Sequence, residues 1–366
     1  MGSTISLTRP DVDFLITNAC PNRCSHCVFC SGKRLPDEMD SAEVVTSLRH
    51  IKNVFGIERI SISGGEPFSR PDFCHIYIEA ARLFSLTLIS TGIGADENIF
   101  RLLLKHPPRQ AIVSLYGMRD YHNTFCQAEG AFESSVRYLE FLNRLRQHNG
   151  MNVSVNIVCH RGNINAVPAM LDYLCASNLT DEVKILALSP VGRGRQILQE
   201  CLSGREWIAF SEGLAKFAEK GSIQFRKGIR IEKHVEDAAS SGEHTPRCYV
   251  VNDKGNVFSS CVHIDANGEI YPCTMLVRQP EFSLGNILHP ARIDHRQCKS
   301  LIRKAYARVM QRNCNGCKTR AECLGGCFGY HLANEKDYRC NDGRLRFGCP
   351  DRYEMLVAGE QTPGNA

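Results

Sequence analysis

The chain contains no run of eighteen apolar residues, which excludes an ordinary membrane-spanning helix. Its first fourteen residues lack the hydrophobic stretch of a secretory signal, so export is not expected. Blocks of like charge are missing too. The net charge of +5 is spread in singles and pairs, and the densest basic stretch, RCNDGRLRFGC, is too short to mark a nucleic-acid surface. MGSTIS fits the N-myristoylation pattern, but patterns this short match often by chance. The expectation is a cytoplasmic protein with neither a membrane nor a nucleic-acid partner. One residue is in excess: nineteen of the 366 positions are cysteine. Without a signal peptide a disulfide scaffold is not the natural use for them, and metal is.

Apolar β-rich runs alternate with helical stretches from residue 12 to about 190. VDFLIT (12–17), ERISISGGE (58–66), LTLIST (86–91), QAIVSLYG (110–117), NVSVNIV (152–158) and EVKILALS (182–189) read as strands. Helices fit 40–54, 72–84, 96–105, 131–147 and 166–176. Six such β–α units predict an α/β fold, a parallel sheet covered by helices in an open or closed barrel. Ligands of such folds sit at the C-terminal ends of the strands. Residues 205–220 read as one amphipathic helix, and EDAASSGEHTPR (236–247) as a polar linker. A boundary near 235 divides a barrel domain, 1–235, from a second domain, 236–366. The second domain reads as short strands and turns, with an Asn-Gly hairpin signal in DANGEIYPC (265–273). Ten of the cysteines fall between Cys248 and Cys349, and metal is the expected stabiliser there.

Two cysteine sets stand out. Cys20-x3-Cys24-x2-Cys27 follows the first strand, a spacing that arises by chance in roughly one chain of this composition in twenty. By spacing alone it fits zinc, with Cys30 or His26 as a fourth ligand, or a redox pair, Cys24/Cys27 or Cys27/Cys30. The second set, Cys314-x2-Cys317-x5-Cys323-x3-Cys327, arises by chance roughly once in 400. It is not a zinc ribbon, because Cys323 and Cys327 do not form a C-x-x-C knuckle.

The first triple and the turn Ser63-Gly64-Gly65-Glu66-Pro67, after strands one and two, together resemble the radical S-adenosylmethionine (SAM) superfamily. Its signature is CxxxCxΦC with Φ aromatic, here His26, followed by GGEP. The resemblance implies a partial (β/α)6 barrel and a 4Fe–4S cluster on Cys20, Cys24 and Cys27, whose open iron binds SAM for cleavage to a 5′-deoxyadenosyl radical. It implies that Gly64 and Gly65 let the backbone approach the methionine moiety and that Glu66 faces its ammonium. Ser114, Asn156 and Arg193 or Arg195 are implied SAM contacts, and His122 lies where family members hold substrate. Cys126, expected in a rim loop, is the candidate thiol for returning a hydrogen atom to substrate; Cys30 is expected to be a bystander, and Cys159, Cys175 and Cys201 inert.

Gly268-x4-Cys273 with the second set resembles the SPASM extension of these enzymes, which implies two auxiliary 4Fe–4S clusters. One takes Cys273 and Cys327, completed by Cys248 and Cys261; the other takes Cys314, Cys317, Cys323 and a later cysteine, Cys340 being favoured over Cys349. Cys261 stands closer to Gly268, and Cys248 further from it, than the family's common spacing. A flavodoxin or ferredoxin is the implied electron donor. The implied substrate is a peptide, with a small molecule (dehydrogenation, epimerisation or decarboxylation) as the alternative. The strand pattern begins by residue 12, which weighs against a leader-binding domain ahead of it.

Overall fold

The structure is a computed structural model. It describes residues 11–203 and 261–313, together with 206, 207, 209, 210, 213, 214, 230, 231, 329, 332, 345–347 and 355–357. The first stretch runs β1 (Asp11–Leu15), α1 (Ser41–Phe55), β2 (Arg59–Ser63), α2 (Phe73–Leu83), β3 (Ser85–Ser90), α3 (Glu97–Lys105) and β4 (Gln110–Ser114). It continues through α4 (Arg119–Cys126), α5 (Ala131–Asn149), β5 (Asn152–Cys159), α6 (Val167–Ser177) and β6 (Glu182–Ala187). Local chemistry sets the helix ends. Asp40 and Glu43 form a reciprocal capping box at the start of α1, and Gly56 closes that helix in the left-handed conformation at φ +61°.

β1 to β6 pair in sequence order, each pair parallel. Right-handed crossovers between strands in this order place the helices on one face of the sheet. Side-chain alternation then sorts each strand. On β5, Val153, Val155, Ile157 and Cys159 join the main core, whereas Ser154, Asn156 and Val158 take the other face. That second face is also buried but partly polar: Ser154 Oγ donates to Glu182 at 2.6 Å and accepts from Gln110 at 2.8 Å. Both faces of β5 are therefore covered, as a central parallel strand requires.

Three further strands extend the sheet. β7 (Arg230–Ile231) pairs with β6; β8 (Cys261–Ile264) runs parallel to β1 with Asp11 opposite Cys261; β9 (Ile270–Tyr271) returns antiparallel to β8. The expected Asn-Gly turn makes that hairpin, with Gly268 at φ +85°. Strand pairing thus reaches across the boundary expected near 235, because β8 belongs to the same sheet as β1. α7 (Arg296–Asn313) follows, and β10 (Leu345–Phe347) pairs with β11 (Met355–Val357). No helix among the described residues is long and apolar enough to cross a membrane.

The six expected strands and five helices appear within a few residues of their predicted bounds. Residues 206, 207, 209, 210, 213 and 214 are helical, within the expected helix over 205–220, whose other positions, like the linker at 236–247, lie outside the described residues. Two expectations are corrected. Cys126 ends α4 instead of lying in a loop. The region after 235 is not only short strands and turns, because α7 is eighteen residues long. Its buried Cys298 and Ile302, with Leu301, Ala305 and Tyr306 against the core, follow the helical i, i+3, i+4, i+7 pattern.

One buried ion pair ties the later segment to the barrel. Arg278 bonds both oxygens of Asp265, at 2.7 and 2.9 Å, and its Nη1 reaches Asn18 Oδ1 and Phe29 O at 2.8 and 2.6 Å. Asp265 is 1% exposed, so removing its partner strands a charge. Arg278→Met is expected to cost about 3 kcal/mol in urea unfolding, and adding Asp265→Asn is expected to recover part of that loss.

Candidate active site

The cysteine loop leaves β1 on the C-terminal rim of the sheet. Its base is closed by Cys20 N–H to Gly32 O and Gly32 N–H to Asn18 O, each 2.9 Å. Cys27 N–H donates to Cys24 O at 3.1 Å, and Ser31 N–H points at Cys27 Sγ at 3.4 Å. Arg193, in the segment that follows β6, straps the loop. Its N–H bonds Cys27 O at 3.0 Å, its Nε Cys24 O at 2.8 Å and its Nη1 Ser31 O at 2.9 Å. Gly192 admits this contact: at φ +56°, a Cβ there would stand 2.3 Å from Val28 O. From the other side, Arg23 N–H and Ser25 N–H donate to Cys126 O and Phe125 O at the end of α4, at 2.8 and 3.0 Å. Those are carbonyls that a helix end leaves without intrahelical partners.

Cys20, Cys24 and Cys27 are all free thiols. Among the described residues no three metal-ligating side chains converge on one ion. An iron–sulfur cubane asks for something else, three thiolates spread around a larger body, each on its own iron, and one braced loop with three free thiols fits that demand. Burial, then the nearby Glu66 charge, pushes the Cys20 thiol up to about 12, while the Cys24 thiol is lowered, first by a hydrogen bond from Cys126. Loading iron therefore displaces a proton from Cys20. Cys30 is exposed at φ +51°.

Gly64 and Gly65 meet this loop directly. Gly65 N–H bonds Thr17 O at 2.7 Å and Glu66 N–H bonds Ala19 O at 2.8 Å. A Cβ on Gly64 (φ +142°) would lie 2.3 Å from Thr17 O, and one on Gly65 2.3 Å from Ala19 O. The glycines thus admit the backbone leaving β1. The Glu66 carboxylate is fully buried and takes four donors: Phe68 N–H (3.2 Å), Ser90 Oγ (2.8 Å), Thr91 N–H (2.8 Å) and Thr91 Oγ1 (2.6 Å). Burial pushes its pKa up, and those hydrogen bonds oppose the shift. With about four lone-pair sites on a carboxylate, the chain's own donors occupy the group expected to face an ammonium.

Ser114 and Asn156 are cross-strand partners. Asn156 Oδ1 is buried without a hydrogen-bond partner, as are His26 Nδ1 and Ser31 Oγ in the cysteine loop. Buried polar atoms left open in the three-thiol loop, His26 Nδ1 and Ser31 Oγ, suit a polar ligand. His26 stacks on Phe125 with centroids 5.0 Å apart, and Phe125 stacks on His160 at 5.0 Å. Desolvation holds His26 neutral, lowering it to about 3. His160 contacts Tyr121 OH at 2.5 Å and Glu200 at 3.4 Å. Arg195 is exposed. His122 is 1% exposed and lies inside the rim; burial lowers it to about 4.

Sequence reasoning missed Arg278, which hydrogen-bonds the cysteine loop at Phe29 O, and missed α4. The i, i+4 pairs Tyr121/Phe125 and His122/Cys126 were the available signal for α4. Of the expected auxiliary ligands, Cys273 is buried and accepts Met275 N–H on its sulfur at 3.4 Å, and Cys261 opens β8. Cys248, Cys314, Cys317, Cys323, Cys327 and Cys340 lie outside the described residues.

A sequentially wound α/β sheet with a braced three-thiol loop on its ligand-binding rim defines a metal-cofactor enzyme class. Residues 14–174 match the family model described as the Radical SAM superfamily. The chain is 25% identical over 321 residues to "Mycofactocin maturase MftC" of Mycobacterium ulcerans, covering 85% of this chain and 81% of that protein. It is 25% identical over 304 residues to "Sporulation killing factor maturation protein SkfB" of Bacillus subtilis, covering 78% and 66%. In fold it resembles SuiB of Streptococcus suis solved with S-adenosylmethionine, at TM-score 0.68 and 15% identity over 92% of this chain and 79% of that one. Residues 14–174 are thus similar to the radical SAM domain, and enzymes of that superfamily use a 4Fe–4S cluster and SAM.

Glu66→Gln places an amide N–H₂ against donors. It is expected to cost about 1–3 kcal/mol in urea unfolding, whereas Glu58→Gln, at a side chain 81% exposed, is expected to be near neutral.

Proposed function

We propose that this chain is a radical SAM maturase that modifies a peptide. The observation that carries the chemistry is the braced loop: Arg193, α4 and Arg278 hold its backbone while Cys20, Cys24 and Cys27 keep free sulfurs. Cys20, Cys24 and Cys27 would hold a 4Fe–4S cluster, which would supply the electron for reductive cleavage of SAM. The protein's own part is to present three thiolates, hold polar groups at Ser114 and Asn156 toward SAM, and cover the site with the His26–Phe125–His160 stack. The peptide substrate is supported by the two maturation proteins, which match most of this chain.

The SPASM reading adds two auxiliary clusters, one on Cys273, Cys327, Cys248 and Cys261 and the other on Cys314, Cys317, Cys323 and Cys340. It is supported by Gly329, two residues after Cys327, where a Cβ would stand 2.4 Å from Met275 Cβ, two residues after Cys273. A cytoplasmic location and a flavodoxin or ferredoxin donor complete the proposal, since free thiols and low-potential clusters need reducing surroundings.

Anaerobic reconstitution is expected to give about twelve irons per chain, and four would remove the auxiliary clusters. Addition of SAM and a reductant should release 5′-deoxyadenosine. Cys20→Ala should abolish that release, and wild-type protein that releases none would overturn the reading. Cys314→Ala should keep the release and lose peptide product, followed by mass spectrometry of the precursor peptide.

A further inference from the structure

Cys273 is buried, and its sulfur caps a single 3-10 turn, Thr274–Leu276, by accepting Met275 N–H at 3.4 Å. Leu276 N–H returns to Cys273 O at 2.9 Å and Val277 N–H to Thr274 O at 3.3 Å, so the chain between this sulfur and Arg278 is pinned. Arg278 stands at φ +63°, a left-handed backbone that a residue with a side chain keeps only where its surroundings impose it. Its guanidinium is held at both ends. Nε and Nη2 bond Asp265 at 2.7 and 2.9 Å, while Nη1 bonds Phe29 O at 2.6 Å and Asn18 Oδ1 at 2.8 Å. Phe29 lies two residues after Cys27. Asn18 closes the base of the cysteine loop: its O accepts Gly32 N–H at 2.9 Å and its Nδ2 donates to Lys33 O at 2.8 Å. One turn and one side chain thus join the Cys273 sulfur to the base and the later half of the loop that carries Cys20, Cys24 and Cys27.

We propose that Arg278 is a positioning residue that couples the two cysteine sites. Cys273, once it ligates iron, fixes the turn before Arg278, and Arg278 then holds the cysteine loop in the arrangement its own cluster needs. This rests on the reading of Cys20, Cys24, Cys27 and Cys273 as cluster ligands. The segment after Cys327 bears on the same turn, since a Cβ on Gly329 would stand 2.4 Å from Met275 Cβ. Arginine suits the task because its planar fork serves Asp265 and the loop at once, which a lysine ammonium cannot do. Coupling of this kind is reciprocal, so a filled cysteine loop also favours filling at Cys273. A merely structural Arg278 would weaken folding without linking one site to the other.

The test uses the full chain as wild type and as Arg278→Met/Asp265→Asn, which removes the grip on the loop without leaving the Asp265 charge unpaired. In iron-free protein, hydrogen exchange at the Cys20 and Gly32 amides is expected to be about tenfold faster in the double variant, the worth of the lost charge-assisted bonds. Exchange unchanged from wild type overturns the positioning role. After anaerobic reconstitution an iron chelator is added, and the EPR signal that shifts on SAM addition is followed as it decays. Cys273→Ala is expected to speed that decay about five- to tenfold in the wild-type background. In the Arg278→Met/Asp265→Asn background the same change is expected to add less than about twofold. Equal acceleration in both backgrounds, or none in wild type, overturns the coupling. Wild-type protein without a SAM-responsive signal overturns the assignment of the cysteine loop, and about four irons per chain overturn that of Cys273. Either failure is separate from the grip of Arg278 on the loop, which the exchange measurement still decides. If the double variant does not fold, Arg278→Lys, which keeps a cation for Asp265 but not the fork, decides by the same criteria.

Discussion

At the C-terminal rim of the sheet, Glu66 joins the ends of three strands. Its N–H holds Ala19 O beyond β1, its own position follows β2, and its buried carboxylate takes Ser90 and Thr91 at the end of β3. A buried carboxylate is tolerated only where donors replace water, and here four do so. The geometry of everything above the rim depends on that constraint. The cysteine loop springs from the same few residues, Thr17 to Cys20, that the Gly64–Glu66 turn grips.

The loop itself is held by its carbonyls. Arg193 takes Cys24 O, Cys27 O and Ser31 O, Arg278 takes Phe29 O, and Gly32 takes Asn18 O. The donors come from the segment after β6, from the segment after β9 and from the loop's own base. Bracing through the backbone leaves sulfur free, and that is what a site needs if iron is to be bound without rebuilding the loop. The loop also reaches α4, whose unsatisfied terminal carbonyls receive Arg23 and Ser25 N–H.

Much of this architecture was legible in the sequence. Apolar runs separated by helical stretches located all six strands because parallel strands under helices need near-continuous apolar runs, and Asn267-Gly268 announced the β8–β9 hairpin because its turn needs positive φ. Gly64 and Gly65 were recognised as a close approach, and the Thr17–Ala19 backbone comes that close to them. α4 escaped because no side chain caps its start. The pairing of β8 with β1 escaped because a strand's partner is not written in its own residues.

The sequence by itself determined the order of strands, the thiol spacing Cys20, Cys24, Cys27, and the position of both on the ligand-binding rim, because periodicity and spacing are properties of neighbours along the chain. Only the tertiary structure decided what Arg193, Arg278 and Glu66 do. Arg193 meets Cys24 across 169 positions and Arg278 meets Phe29 across 249. At such separations a contact is chosen by the way whole elements pack, and a polar group is assigned its partner only when burial has removed water as the alternative.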